Sequence, residues 1–529
     1  MSKKITSNTK VGAQERASAF TAAGGFLMIH NRLVKRLVSA ALVIALVFSF
    51  AVVFTGCGRS RSELERRARG LSNYTITAEF CHENMVITAT QRVDYINNYN
   101  IELHDLYFHL FGNAYRQGAR FSPIGTNEVA KAFPNGESFG SLIVTGVMVG
   151  GNQIGVNIGG QDEDILIVEL AGGLMPGRRV TVELEWRLQL ANVRHRLGWV
   201  ENTVNLGNWF PILSVWDDGA WHANSYYNLG DPFFSELANF NVSITVPEGW
   251  VVASSGCCEK AIPANGRVTH QKTAIAVRDF ALVMSPDFKV MTEKVDGIEI
   301  RYYYIIDPTP ELSLKAAVDS VRTFNEHIGK YPYPTLAVVE THFLHGGMEY
   351  PRLVMISNEL SGDVYREVII HEVAHQWWYA VVGNNQVLHA WMDEGLTEYT
   401  TTLFYVWNPQ YGITYQERMA DKLTGLMLYL ELYGRQRPDT SMNRPLNEFR
   451  NSYDYMYMVY VKGGLMFSSL RRMIGDDNFF AALRLYYEQN FLQIARPENL
   501  IAAFEQASGK PLESYFDSWL SGRVQMFAE

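Results

Sequence analysis

Cysteine is scarce: the 529 residues hold four, at Cys57, Cys81, Cys257 and Cys258. So few, so irregularly placed, exclude a disulfide framework and offer no thiolate spacing for zinc. Adjacent cysteines rarely bridge each other, so one disulfide to Cys81 is the most that the chain beyond Cys57 is expected to hold. A surplus of positive charge is also missing, the formal net charge being −9. The first 56 residues carry seven basic and one acidic side chain, which leaves 39 Lys or Arg against 54 Asp or Glu in the body. An acidic body excludes nucleic acid as the expected partner. Disorder is excluded as well, because 47% hydrophobic and 19% charged residues describe a chain with ample core. At this length two to four domains are expected.

Charge is absent from residue 37 to residue 58, a run rich in Ala, Val, Leu and Phe that follows Arg32, Lys35 and Arg36. This reads as an export segment, with the basic flank staying inside. Its end, Phe54-Thr55-Gly56-Cys57, resembles a bacterial lipoprotein cleavage box, which implies lipidation of Cys57; a single membrane-spanning helix is the alternative. Either anchor places the rest of the chain at the cell membrane, facing away from the cytoplasm. Met28 gives a shorter, more signal-like start than Met1. Residues 58–72, dense in Arg and Glu, read as a charged tether.

From residue 73 to 286 the pattern has a period of two. In 180–190, Val180, Val182, Leu184, Trp186, Leu188 and Leu190 alternate with polar residues, as in a strand buried on one face. Segments 74–80, 101–111, 165–170, 241–246 and 280–284 read likewise, so an antiparallel sheet domain is expected. Past residue 286 the period becomes helical, as at Leu314, Ala317, Val321, Phe324 and Ile328. The predicted fold class is α+β, a sheet domain at 73–286 followed by a mainly helical domain at 287–529.

The chemistry lies in the second half. His371-Glu372-Val373-Ala374-His375 puts two histidines four residues apart, hence on one helix face, where both imidazoles can hold one metal ion. Glu372 is turned about 100° away and suits a general base rather than a ligand. A catalytic zinc has three protein ligands and an open position, and Glu394 in Trp391-Met392-Asp393-Glu394-Gly395 is placed to be the third. The predicted helix runs on past Trp377, Trp378 and Val381 to a stop at Gly383-Asn384-Asn385.

With these residues the chain resembles the gluzincin zinc peptidases, and more closely the membrane alanyl aminopeptidase family, which includes leukotriene hydrolase. Two further segments carry the resemblance. His345-Gly346-Gly347-Met348-Glu349-Tyr350 is similar to the family's Gly-x-Met-Glu-Asn motif, which implies that Gly346, Gly347, Met348 and Glu349 bind substrate, Glu349 through its free α-amino group; Tyr350 replaces the Asn. Tyr460-Val461-Lys462-Gly463 is similar to the family's Tyr-x-Lys-Gly segment, which implies that Tyr460 stabilises the oxyanion. Asn208-Trp209-Phe210-Pro211 and Asp231-Pro232-Phe233-Phe234 resemble the end of the family's sheet domain, and no catalytic role is expected for them. The resemblance implies a thermolysin-like catalytic domain, one Zn²⁺ per chain and peptide substrates. Asp393 is expected either to orient a ligand or to serve a helix N-terminus. The alternatives are a zinc endopeptidase without amino-terminal selection and a non-catalytic scaffold.

Overall fold

Alternation of apolar and polar residues builds the first half of the molecule. In the strand Arg179–Gln189, Val182, Leu184, Trp186 and Leu188 are buried while Glu185 and Arg187 face solvent, as the period of two requires. In this computed structural model, which describes residues 61–433 and 438–524 apart from the side chains of 258 and 259, that strand belongs to an eight-stranded sheet. The strand order is Cys257–Ala264, Arg267–Val277, Ala238–Pro247, Ser72–Cys81, Val86–Ile96, Arg179–Gln189, Ser141–Val149 and Asn152–Ile154. One pair departs from the antiparallel expectation: Ser72–Cys81 runs parallel to Ala238–Pro247, in register from Ser72 with Ala238 to Glu79 with Thr245. Two four-stranded sheets and a two-stranded one, Trp216–Asp217 with Ala220–Trp221, complete the domain. The expected export segment, with Cys57, lies outside the described residues, and among the described residues no helix is long and apolar enough to cross a membrane.

The expected tether is not all tether. Residues 61–68 are helical, and Leu64 and Ala68 are buried in the core. Glu63 pairs with Arg66 and Arg67 on the outer face, which accounts for the charge density read in the sequence. Cys81 and Cys257 are free, and the side chain of Cys258 lies outside those described.

The second half opens with a five-stranded sheet that the sequence showed only in part, ordered Lys289–Val295, Ile298–Tyr304, Thr335–Thr341, Leu353–Ser357 and Gly347–Met348. Its three central strands are parallel, and the last is an antiparallel edge. The helix Pro310–His327 packs on this sheet with Leu314, Ala317, Val321 and Phe324 buried. Helices Gly362–Ala374, Leu396–Trp407 and Lys462–Ile474 follow, then Asp476–Gln489, Pro497–Ser508 and Glu513–Leu520.

Buried Arg278, at the end of the sheet domain, donates to Tyr379 O at 3.0 Å and Gln493 O at 2.6 Å. Tyr350 lies in the same interior, donating to Asn208 Oδ1 at 2.7 Å, while Asn208 Nδ2 donates to Asp279 Oδ2 at 2.5 Å. These satisfied buried groups fix the sheet domain against the edge strand.

Candidate metal centre and peptide cleft

The helix Gly362–Ala374 carries His371 in its last turn, and regular helix ends at Ala374, well short of the predicted stop near residue 383. The backbone then opens into a wider turn, Gln376–Val381, interrupted at Trp378 and Tyr379. The break has a use. It brings Trp378 O to 3.2 Å from His375 Nδ1, and Thr397 Oγ1 lies at 3.2 Å from the same nitrogen. His371 Nδ1 lies 3.4 Å from Glu398 Oε2. Both imidazoles thus have partners on one nitrogen, which fixes ring orientation and leaves the other nitrogen for a metal.

Those free nitrogens converge. His371 Nε2 and His375 Nε2 are 3.1 Å apart, and Glu394 Oε2 lies 3.3 Å and 3.1 Å from them. All three groups are buried or nearly so, and two imidazoles with one carboxylate form a neutral-donor and anion set that suits zinc. The residues present therefore fit the metal. Glu394 comes from the wide turn Trp391–Gly395 just before the helix Leu396–Trp407.

Electrostatics agree with a cation. Burial disfavours charge on His371, yet Glu394 and Glu398 outweigh it and hold its pKa at about 9. Burial likewise opposes ionisation of Glu394, and His375 and His371 reverse the effect, holding it below the usual carboxylate range. Glu372 is buried and its Oε2 has no hydrogen-bond partner. Burial pushes its pKa up to about 8, with the two histidines opposing and Glu349 and Glu394 assisting. A carboxylate so placed is ready to accept a proton.

The edge strand runs beside Glu372. A Cβ on Gly347 would lie 2.4 Å from Glu372 Oε1, so a side chain there would displace the base. Gly346 has ordinary room, and Met348 is in the core at 1% exposure, so only its backbone can face a substrate. Glu349 is buried and accepts from Gln386 Nε2 at 2.9 Å; the same nitrogen donates to Asp393 Oδ2 at 2.6 Å. Asp393 also accepts from Asn384 Nδ2 at 3.1 Å. It therefore orients neither histidine by hydrogen bond, contrary to one of its two expected roles. Burial, then Glu394, push its pKa up to about 7.

Tyr460 sits on the wide turn Met456–Val461 and donates to Glu394 Oε1 at 2.6 Å, its ring stacked 5.9 Å from that of His371. Burial and Glu394 raise its pKa well above the phenol value, so the hydroxyl keeps its proton. Asp231, for which no role was expected, reaches the centre from the sheet domain. One carboxylate oxygen each from Asp231, Glu349 and Glu394 lie within 4.8 Å of one another. Arg196 pairs with Asp231 at 3.0 Å. A cavity of about 260 Å³ is lined by Asp231, Glu349, Glu372, His371, Glu394 and Tyr460 among others.

A domain of sheets is followed by a mainly helical domain that bears this cradle. Residues 312–519 match the model described as Peptidase family M1 domain. Among curated proteins, Aminopeptidase M1-A of Oryza sativa subsp. japonica is 25% identical over 312 residues, covering 55% of this chain and 34% of the relative. Aminopeptidase N of Lactococcus lactis subsp. lactis is 28% identical over 230 residues, covering 40% and 26%. The chain thus spans about a third of the length of these relatives or less. An M1 zinc metallopeptidase mutant from Deinococcus radiodurans superposes with a TM-score of 0.62 at 19% identity, covering 86% of this chain and 94% of that one. A two-domain M1 zinc metallopeptidase mutant bound to L-arginine gives 0.61 at 17% identity, with the same coverage. These likenesses establish the fold.

Proposed function

We propose that the chain is a zinc-dependent aminopeptidase holding one Zn²⁺ per chain. The observation that carries this reading is the convergence of Asp231, Glu349 and Glu394 beside Glu372 and the edge strand. Three carboxylates around one point match an ammonium with three N–H donors, and a free amino terminus is what a peptide offers there. Burial, then the neighbouring Glu349, raise the pKa of Asp231 even with Arg196 beside it, as expected of a pocket short of one positive charge.

His371, His375 and Glu394 would hold the zinc, which supplies a Lewis acid for the scissile carbonyl and for a water. Glu372 takes the proton of the attacking water and returns it to the leaving amine. Tyr460 offers its O–H to the developing oxyanion, a donor of the kind whose removal costs about 3 kcal/mol. Gly347 and its neighbours lay the peptide alongside the sheet edge, so that its backbone is aligned by strand-type hydrogen bonds.

The test compares free and amino-acetylated forms of one peptide on the purified protein, with and without chelator. Cleavage of the free form alone, abolished by chelator, supports the reading. Equal cleavage of both forms would replace it with endopeptidase action. We propose further that the protein is exported and anchored at the cell membrane through Cys57, on the strength of the uncharged run before it. Labelled fatty acid should enter the wild type and be lost on Cys57→Ser.

A further inference from the structure

The chemistry at Glu372 leaves open which residue follows the cut, and the cleft's charges bear on it. Beside the cavity over the cradle lies a larger chamber of about 470 Å³, which shares Asp231, His345, Gly347, Glu398 and Tyr460 with it and adds Glu128 and Arg196. Glu372 and Glu394 face the metal cradle. Arg196 answers Asp231 at 3.0 Å, and Lys422 and Arg418 answer Glu398. Arg418 also answers Glu367 at 2.7 Å. Apart from Glu372 and Glu394, two carboxylates of the cleft have no Lys or Arg within ion-pair distance among the described residues. One is Glu349, reached by the neutral amide of Gln386. The other is Glu128, whose ion-pair partner there is His345, at 3.6 Å, with the Glu128 side chain 23% exposed.

The edge strand gives the direction. Glu349 is at the amino-terminal end of the bound peptide and Gly347 lies against Glu372, where the bond is cut. Continuing the same way, His345 stands in the bend two residues before Gly347 and lines both the cradle cavity and the larger chamber. Glu128, beside His345, is therefore on the leaving-group side of the cut. His345 holds the Glu128 pKa below the usual value against the opposing effect of burial, so the carboxylate stays ionised.

Building on the aminopeptidase reading, we propose that Glu128 makes the cleft select substrates with a basic residue, Lys or Arg, immediately after the scissile bond. A guanidinium or ammonium entering the chamber replaces the weak His345 contact with a charge-assisted pair to Glu128.

The experiment uses zinc-loaded Glu372→Gln protein, in which turnover is slowed so that binding can be read, and wild type for turnover. The peptides are Ala-Arg-Ala-Ala, Ala-Leu-Ala-Ala and Arg-Leu-Ala-Ala, titrated by calorimetry. Ala-Arg-Ala-Ala should bind roughly 3- to 10-fold more tightly than Ala-Leu-Ala-Ala. That ratio should shrink with added salt and fall to near one when Glu128→Gln is added. Equal binding of the two, a ratio that persists in Glu128→Gln, or a preference for Arg at the first position would overturn the proposal. If wild type cleaves none of the peptides, the aminopeptidase reading fails separately, while the binding ratio still decides the role of Glu128.

Discussion

Gly395 and Gly463 meet backbone to backbone: a Cβ on Gly463 would lie 2.7 Å from the Gly395 Cα. Gly395 follows Glu394, the proposed third ligand, and Gly463 lies three residues beyond Tyr460, so this contact sets how closely the two side chains approach. Any larger residue must push the turn Trp391–Gly395 and the helix Lys462–Ile474 apart.

Gly463→Ala should therefore destabilise the protein by about 1–3 kcal/mol, the usual cost of overpacking, and lengthen the Tyr460 to Glu394 hydrogen bond. kcat should fall more than KM rises, because the oxyanion donor is displaced while the peptide's strand contacts are not. A melting temperature and kcat both equal to wild type would show that the glycine contact does not position Tyr460.

Metal content separates ligands from their supports. His371→Ala, His375→Ala and Glu394→Ala should each lose zinc on dialysis. Glu398→Gln should keep the site but bind zinc about 10- to 100-fold more weakly, because His371 loses the carboxylate at its other nitrogen. Full zinc in Glu394→Ala, measured by atomic absorption, would remove Glu394 from the ligand set.

Glu372→Gln should retain zinc and fold, since its side chain makes no hydrogen bond through Oε2, yet lose about 10²- to 10⁴-fold in kcat through loss of the base. Activity within tenfold of wild type would assign the proton transfer elsewhere.

Acid should weaken the sheet domain through His109. Burial lowers its pKa to about 4, and its Nε2 lies 2.9 Å from His222 O. An unfolded imidazole titrates near 6.5. Between these values the unfolded chain binds a proton that the folded chain does not, so stability present above about pH 6.5 is lost as pH falls toward 4, up to about 3 kcal/mol. His109→Gln should flatten the dependence of urea midpoint on pH over this window. An unchanged slope would mean other groups control it.

What the sequence disclosed follows from how far each signal reaches along the chain. Period-two runs such as 180–190 and the helical run ending at Ile328 are local, and both elements were legible. The convergence of His371 and His375 was legible because four-residue spacing is itself geometry, while Glu394 was sought because a catalytic zinc needs a third donor. Gly347–Met348 is too short to show a period, and the break at Trp378 and Tyr379 is held by a contact distant in the chain, Arg278 Nε donating to Tyr379 O. Glu398 could have been found, since it stands four residues after Glu394 and so on the same helix face. Asp231 and Gln386 could not: their roles arise where the sheet domain and the segment after the metal helix meet, and nothing near them in the chain announces it.

The parallel pairing of Ser72–Cys81 with Ala238–Pro247 also constrains how the chain acquires its shape during synthesis. Ser72 and Ala238 are partners although 166 residues separate them, so the nascent chain can close the hairpin with Val86–Ile96 at once but not the other flank. Until the later strand emerges, the outer edge of Ser72–Cys81 presents unpaired backbone groups, an invitation to intermolecular pairing. High contact order of this kind slows folding. The first domain should thus be the slow and chaperone-dependent step of folding.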